Sequence, residues 1–130
     1  MNITKDVIKE FTDLHAWQEC HNLVMMIYVS TKQFPKDEIF GLISQMRRAA
    51  ISITSNIAEG FGRQGYKEKV QFYYIAHGSF TELKNQIITA KDIGYLGVDN
   101  FKKITDQMNI AHRLLQGLII KSKTFLNPTL

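Results

Sequence analysis

Proline sets the first constraint on this chain. It occurs twice, at Pro35 and Pro128, and residues 36–127 contain none. A proline inside a helix removes a backbone donor and clashes with the preceding turn. A long interval without it, and without sustained apolar–polar alternation, favours helices over a sheet. Glycine divides the interval. Gly60, Gly62 and Gly65 cluster at one place and Gly94 and Gly97 at another, as helix stops and turns do. The breaks predict four helices, at about 14–34, 38–61, 66–93 and 99–124.

Each segment carries an apolar stripe spaced alternately by three and four residues. The stripes are Trp17, Cys20, Val24, Ile27, Thr31 and Phe34; Ile43, Met46, Ala50, Ile53 and Ile57; Tyr73, Ala76, Phe80, Leu83, Ile87 and Ala90; and Phe101, Ile104, Met108, Ala111, Leu115 and Leu118. Such spacing keeps one helix face apolar and suits near-parallel packing. Four stripes joined by short turns predict an all-α, antiparallel, up-down-up-down four-helix bundle. The 130 residues fit one domain, 1–130, with no linker or low-complexity tract. At the ends, Asp37 is the expected cap of helix 2 and Asp99 of helix 4. Lys121 and Lys123 fall where the helix dipole favours cations.

Helix 1 has more apolar surface than one stripe needs. Leu23, Val24, Met25, Met26, Ile27, Tyr28 and Val29 are apolar all round the helix. The excess fits a subunit interface formed by Leu23, Met25, Met26, Tyr28 and Val29, or a core face widened to three positions per heptad. Helix 3 adds Tyr74, Ile75 and Ile88, and helix 4 adds Ile110, Leu114, Ile119 and Ile120. On helix 2 the opposite face steps through Arg48, Ser52, Ser55 and Glu59, its middle kept small by Ala49, Ser52 and Ser55 and its border formed by Asn56, and helix 3 offers His77-Gly78-Ser79 and Glu82. These fit either a solvated face or a close junction, with Gly78 hinting at close packing because a mid-helix glycine costs about 1 kcal/mol.

Most chemistry is excluded. A di-iron site in a bundle needs Glu-x-x-His pairs, and the chain has none. Its four histidines, His15, His21, His77 and His112, form no pair at helical metal-ligand spacing. One cysteine, Cys20, excludes an internal disulfide and a cysteine-based zinc site, and reads as a core residue. Gly60–Gly65 has the glycines of a phosphate loop but lacks its Lys-Ser/Thr end and a preceding strand. No nucleophile–base arrangement is evident, so no catalysis, metal or cofactor is expected. The charged N-terminus lacks a secretory signal's apolar segment, and the run 23–29 is too short to span a bilayer. A cytoplasmic chain without membrane association is expected.

The basic residues remain. Sixteen Lys+Arg against 12 Asp+Glu give a net charge of +4, and the helix 4 region holds most of the excess. Arg47, Arg48, Arg63, Lys67 and Lys69 lie on helix 2, its following turn and the start of helix 3. Phosphate contacts need such side chains, and Phe61, Tyr66 and Phe72 near the turn suit base stacking if exposed. An ordinary solvated surface accounts for a charge of this size equally well. Assembly would multiply it, to about +20 for five copies.

Several motifs occur together and in order: Asp13-Leu14-x-x-Trp17-Gln18, Phe34-Pro35-x-x-Glu38, Gly41-Leu42-x-x-Gln45-x-Arg47-Arg48-Ala49, Ser55-Asn56-Ile57-Ala58-Glu59-Gly60, Ile75-Ala76-x-Gly78-Ser79-x-x-Glu82-Leu83, and Gly94-Tyr95-Leu96. In this the chain resembles the four-helix-bundle proteins of the 23S rRNA intervening-sequence family over about residues 11–125. One departure is Thr54, in Ile51-Ser52-Ile53-Thr54, where the family pattern has proline or alanine. The resemblance implies an up-down-up-down bundle assembled as a ring-shaped homopentamer. A related branch, the accessory variability determinant of diversity-generating retroelements, implies binding of nucleic acid and of a protein partner, a reverse transcriptase. The resemblance implies Asn56, Glu59, Ser79 and Glu82 as signature polar positions, expected to tie helices 2 and 3 or to seal a subunit contact, with a ligand pocket as the alternative. The expected function is non-catalytic binding of RNA or DNA by a homo-oligomer through Arg47, Arg48, Arg63, Lys67 and Lys69. A protein-interaction scaffold is the competing expectation.

Overall fold

A computed structural model of the chain describes residues 7–126. The ends of the expected domain, 1–6 and 127–130, lie outside the described residues. Four helices follow in order: α1 His15–Thr31, α2 Leu42–Phe61, α3 Tyr66–Asp92 and α4 Val98–Thr124. Single 3-10 turns precede α1 and α2, at Phe11–Asp13 and Lys36–Glu38. Among the described residues there is no strand.

Each helix packs on two others: α1 on α2 and α4, and α3 on α2 and α4. The diagonal pairs stay apart, so the four helices surround one core. Their directions alternate. Side-chain contacts pair Tyr66 with Phe125, Tyr74 with Lys123, and His77 with His112, so partner numbers fall along α4 as they rise along α3.

The stripes form the core. Ile43, Met46, Ala50, Ile53 and Ile57 of α2 and Tyr73, Ala76, Phe80, Leu83, Ile87 and Ala90 of α3 are buried. So are Cys20, Val24, Ile27 and Thr31 of α1, Phe34 beyond its end, and Ile104, Met108, Ala111 and Leu115 of α4. Trp17, Phe101 and Leu118 flank the core half-buried. Part of the α1 surplus widens this core. Leu23 is completely buried within the chain, which excludes it from the expected subunit interface, and Ile119 is buried likewise. Met26 and Tyr28 are half-buried against the core, whereas Met25 and Val29 are more than half exposed.

The helix starts differ from expectation. Asp37 does not cap α2. Pro35 leads into a 3-10 turn, and α2 starts behind Gly41. Glu38 Oε1 accepts the Leu42 N–H at 3.1 Å, placing a carboxylate on the positive end of α2 from outside it. Gly97, not Asp99, is the residue before α4, and Asp99 sits in the first turn. At the end of α3, Gly94 adopts φ +91, a left-handed conformation glycine takes without a Cβ penalty. The chain there folds back so that the Tyr95 N–H reaches Ala90 O at 2.9 Å. Thr54, the departure from the family pattern, is accommodated inside α2 by donating to Ile51 O at 3.1 Å.

Candidate nucleic-acid interface

The five basic residues singled out in the sequence do not share one surface. Arg47 is half-buried. Its Nε donates to Thr31 Oγ1 at 2.9 Å, and a terminal nitrogen donates to Tyr28 O at 3.4 Å. The guanidinium lies 4.6 Å from the centre of the Tyr28 ring. Thr31 in turn donates to Ile27 O at 2.7 Å. Arg47 therefore closes the C-terminal end of α1, where carbonyls lack helical partners and the dipole favours a cation. Lys69 does the same for α2. Its Nζ donates to Phe61 O at 2.6 Å and stands over the Phe61 ring at 5.2 Å. Burial pushes the Lys69 ammonium below its ordinary pKa, since a low-dielectric setting disfavours the charged form. These two cations are engaged in structure.

Arg63 pairs with Glu59 at 3.2 Å and covers the Phe72 ring at 4.7 Å, with much of its side chain exposed. Lys67 is exposed on the first turn of α3. Arg48 is exposed too, but 13 residues before the end of α2, about 20 Å along the helix axis. It borders a shallow cleft with Tyr28, Ile39 and Ile51 at the other end of the bundle.

Antiparallel packing brings a further group to the same end of the bundle as Arg63 and Lys67. The last turns of α4 lie beside the first turns of α3. Tyr66 stacks on Phe125 with ring centres 4.6 Å apart and planes 24° apart. Lys123 Nζ donates to the Tyr74 hydroxyl at 3.1 Å and lies 5.6 Å from that ring's centre. Tyr66, Tyr74 and Phe125 are 38%, 47% and 49% exposed. Lys121 is exposed two residues before Lys123. One end of the bundle thus presents cations beside partly exposed aromatic rings, with Lys69 also 5.8 Å from the centre of the Tyr66 ring. Lys121 and Lys123 belong to the basic excess of helix 4 that the sequence shows, whereas Phe125 carries no sequence signal of its own. The signal was the helix order itself, which sets the α4 end beside the α2–α3 turn.

The signature polar positions divide. Asn56 Nδ2 donates to Ser52 O at 2.8 Å and to Ser52 Oγ at 3.2 Å, and the Ser52 and Ser79 hydroxyls share a hydrogen bond of 2.8 Å. This tie links α2 to α3 through Ser52, a residue outside the expected four. Glu59 and Glu82 are exposed and stay out of it. Glu59 turns to Arg63, and Glu82 accepts from Gln86 Nε2 at 3.4 Å. Nor does Gly78 mark a close approach within the chain, since a Cβ there would meet nothing within 4 Å. The close approach is at Gly60, where a Cβ would lie 2.8 Å from Tyr73 Cε1 and 2.9 Å from Phe72 Cβ.

The profile of the 23S rRNA-intervening sequence proteins matches residues 12–117, across all four helices. The chain belongs to this family. A crystal structure of a protein of unknown function from the S23 ribosomal protein family of Bacteroides thetaiotaomicron is similar in fold. The TM-score is 0.72 at 16% identity, and the match covers 80% of this chain and 97% of that one. At that identity the likeness speaks for the fold. No curated protein is significantly similar in sequence. For this member of the family, no helix among the described residues is long and apolar enough to cross a membrane.

Proposed function

We propose that this family member is a non-catalytic, homo-oligomeric, cytoplasmic RNA-binding protein. Its binding surface is the end of the bundle carrying Arg63, Lys67, Lys121, Lys123, Tyr66, Tyr74 and Phe125. The observation that carries this reading is the gathering of Lys123 with the partly exposed Tyr66, Tyr74 and Phe125 at the end of the molecule that also carries Arg63. Lysine and arginine neutralise phosphates without regard to sequence, and exposed aromatic faces stack on unpaired bases. The combination favours single-stranded segments over duplex, whose bases are not open to stacking.

Oligomerisation supports the function by multiplying weak contacts. A homopentamer, which the family resemblance implies, would present five copies of the cluster and gain avidity without new chemistry. The exposed Met25 and Val29 of α1 lie beside a shallow groove with Asn100 and Lys103 of α4, and this apolar strip is the proposed self-contact.

Fluorescence anisotropy with a labelled unstructured RNA, at about 50 mM and 200 mM salt, tests the binding. Binding should weaken steeply between the two salts and collapse in a K67E/K121E/K123E variant. Salt-independent binding, or equal binding by the variant, would sink the proposal. Light scattering of the RNA-free protein reads the assembly. A monomeric mass would remove the oligomer, and a partner protein recovered with no RNA binding would favour the scaffold reading.

A further inference from the structure

The face between α3 and α4 holds a second constellation, unrelated to the basic end. His77 on α3 and His112 on α4 meet across the helix interface with their Nε2 atoms 3.1 Å apart. Their ring centres are 5.0 Å apart and the planes are tilted by 39°. Phe80 packs against the His112 ring at 5.3 Å. The two imidazoles border a cleft of about 280 Å³ that also contains Met108, Asn109 and Lys84.

Neutral imidazoles in this arrangement hold one hydrogen between two Nε2 atoms, one donating and one accepting. The same separation suits another occupant. Two imidazoles bound to one tetrahedral ion at about 2.0–2.1 Å place their nitrogens about 3.3 Å apart. The helices already hold the two nitrogens within a few tenths of an ångström of that spacing. Both histidines lie in helix interiors, beside the fully buried Ala76 and Ala111, so a chelate here needs no loop to order. Little conformational freedom is lost on binding.

We propose that His77 and His112 form a two-histidine chelate for a borderline divalent transition metal such as Zn²⁺. Imidazole nitrogen suits zinc, nickel and copper, whereas Mg²⁺ and Ca²⁺ require oxygen-rich sites. Among the described residues no group of three or more His, Cys, Asp or Glu side chains converges, so the chain supplies two donors from these residue types. Asn109, one turn before His112 in the same cleft, and water complete the coordination. Lys84 at the cleft is the opposing charge, and it is exposed, with a long side chain able to extend into solvent. Metal binding requires the histidine that carries its proton on Nε2 to move it to Nδ1 through solvent, leaving both Nε2 lone pairs for the ion. An ion held this way clasps α3 to α4 and raises the stability of the bundle through linkage.

The test titrates the full chain with Co²⁺, followed by its visible absorption, and with Zn²⁺, followed by calorimetry. Wild type, H77Q, H112Q and the control H21Q are compared, with circular dichroism recorded on each. One ion per chain is expected for wild type and H21Q. A loss of at least about tenfold in affinity is expected for H77Q and for H112Q, with Mg²⁺ silent throughout. Zn²⁺ should raise the melting temperature of wild type and not that of the two variants. Ring-proton signals provide a reading on wild type alone: those of His77 and His112 should move on adding Zn²⁺ while those of His15 and His21 stay. Uptake unchanged in H77Q and H112Q, signals moving only at His15 and His21, or no uptake by wild type would overturn the proposal.

Discussion

The Tyr95 hydroxyl donates to Glu38 Oε2 at 2.8 Å. The two residues belong to different connections, Glu38 between α1 and α2 and Tyr95 between α3 and α4. Glu38 also accepts the Leu42 N–H with its other oxygen. One carboxylate thereby starts a helix and joins two loops at the same end of the bundle. The Tyr95 ring packs against buried Phe34 at 5.3 Å, which fixes its approach to Glu38.

This pairing predicts a pH dependence. The Leu42 N–H first, and the Tyr95 hydroxyl second, hold the Glu38 carboxyl below its ordinary value of 4.5. A depressed carboxylate pKa adds stability that is complete above the unfolded value and is lost as pH falls through the folded one. An E38Q variant should melt at a lower temperature than wild type at pH 7. The gap should close as pH falls below about 4.5. Thermal melts across pH 2–7 check this, and a gap that stays constant with pH would remove Glu38 as its source.

Arg47 and Lys67 should behave oppositely. R47A removes the donor from Thr31 and Tyr28 at the end of α1 and should cost about 1–2 kcal/mol of stability, measured by denaturant unfolding. It should leave the salt dependence of RNA binding unchanged. K67A should leave stability within about 0.5 kcal/mol and reduce the slope of log affinity against log salt by about 1.

Two glycines should respond with opposite signs. G60A forces a methyl group against Tyr73 and Phe72 and should destabilise by about 1–3 kcal/mol. G78A places its methyl group in open space on an exposed stretch of α3 and should stabilise by about 0.5–1 kcal/mol. Unfolding curves at low protein concentration decide both. A destabilised G78A would mean that another surface approaches α3 there.

Cys20 should be unreactive in the native state. It is completely buried, and burial pushes its thiol up to about 12, so little nucleophilic thiolate forms at neutral pH. Labelling by a thiol reagent should track unfolding, rising with denaturant. Rapid labelling without denaturant would show that α1 opens locally.

The fold was legible because helix periodicity is a local property. Once residues 43, 46, 50, 53 and 57 are apolar, the turn angle of the helix puts them on one face wherever the helix sits. Only a core can cover four such faces at once, and all five of these α2 residues are buried. Gly62, Gly65, Gly94 and Gly97 mark four of the boundaries for the same local reason. The start of α2 was less legible, because Glu38 acts on it from an adjoining turn instead of from the capping position.

The candidate sites were decided by tertiary structure. A lysine or arginine reads the same in sequence whether it faces water or a helix end. Arg47 and Lys69 are engaged because packing brings them to the open carbonyls of Tyr28 and Phe61. Tyr66 meets Phe125, and His77 meets His112 across 35 residues of sequence, for a reason no local spacing encodes. Periodicity determined which face each helix buries. The antiparallel path of the chain decided which side chains from separate helices stand within bonding distance.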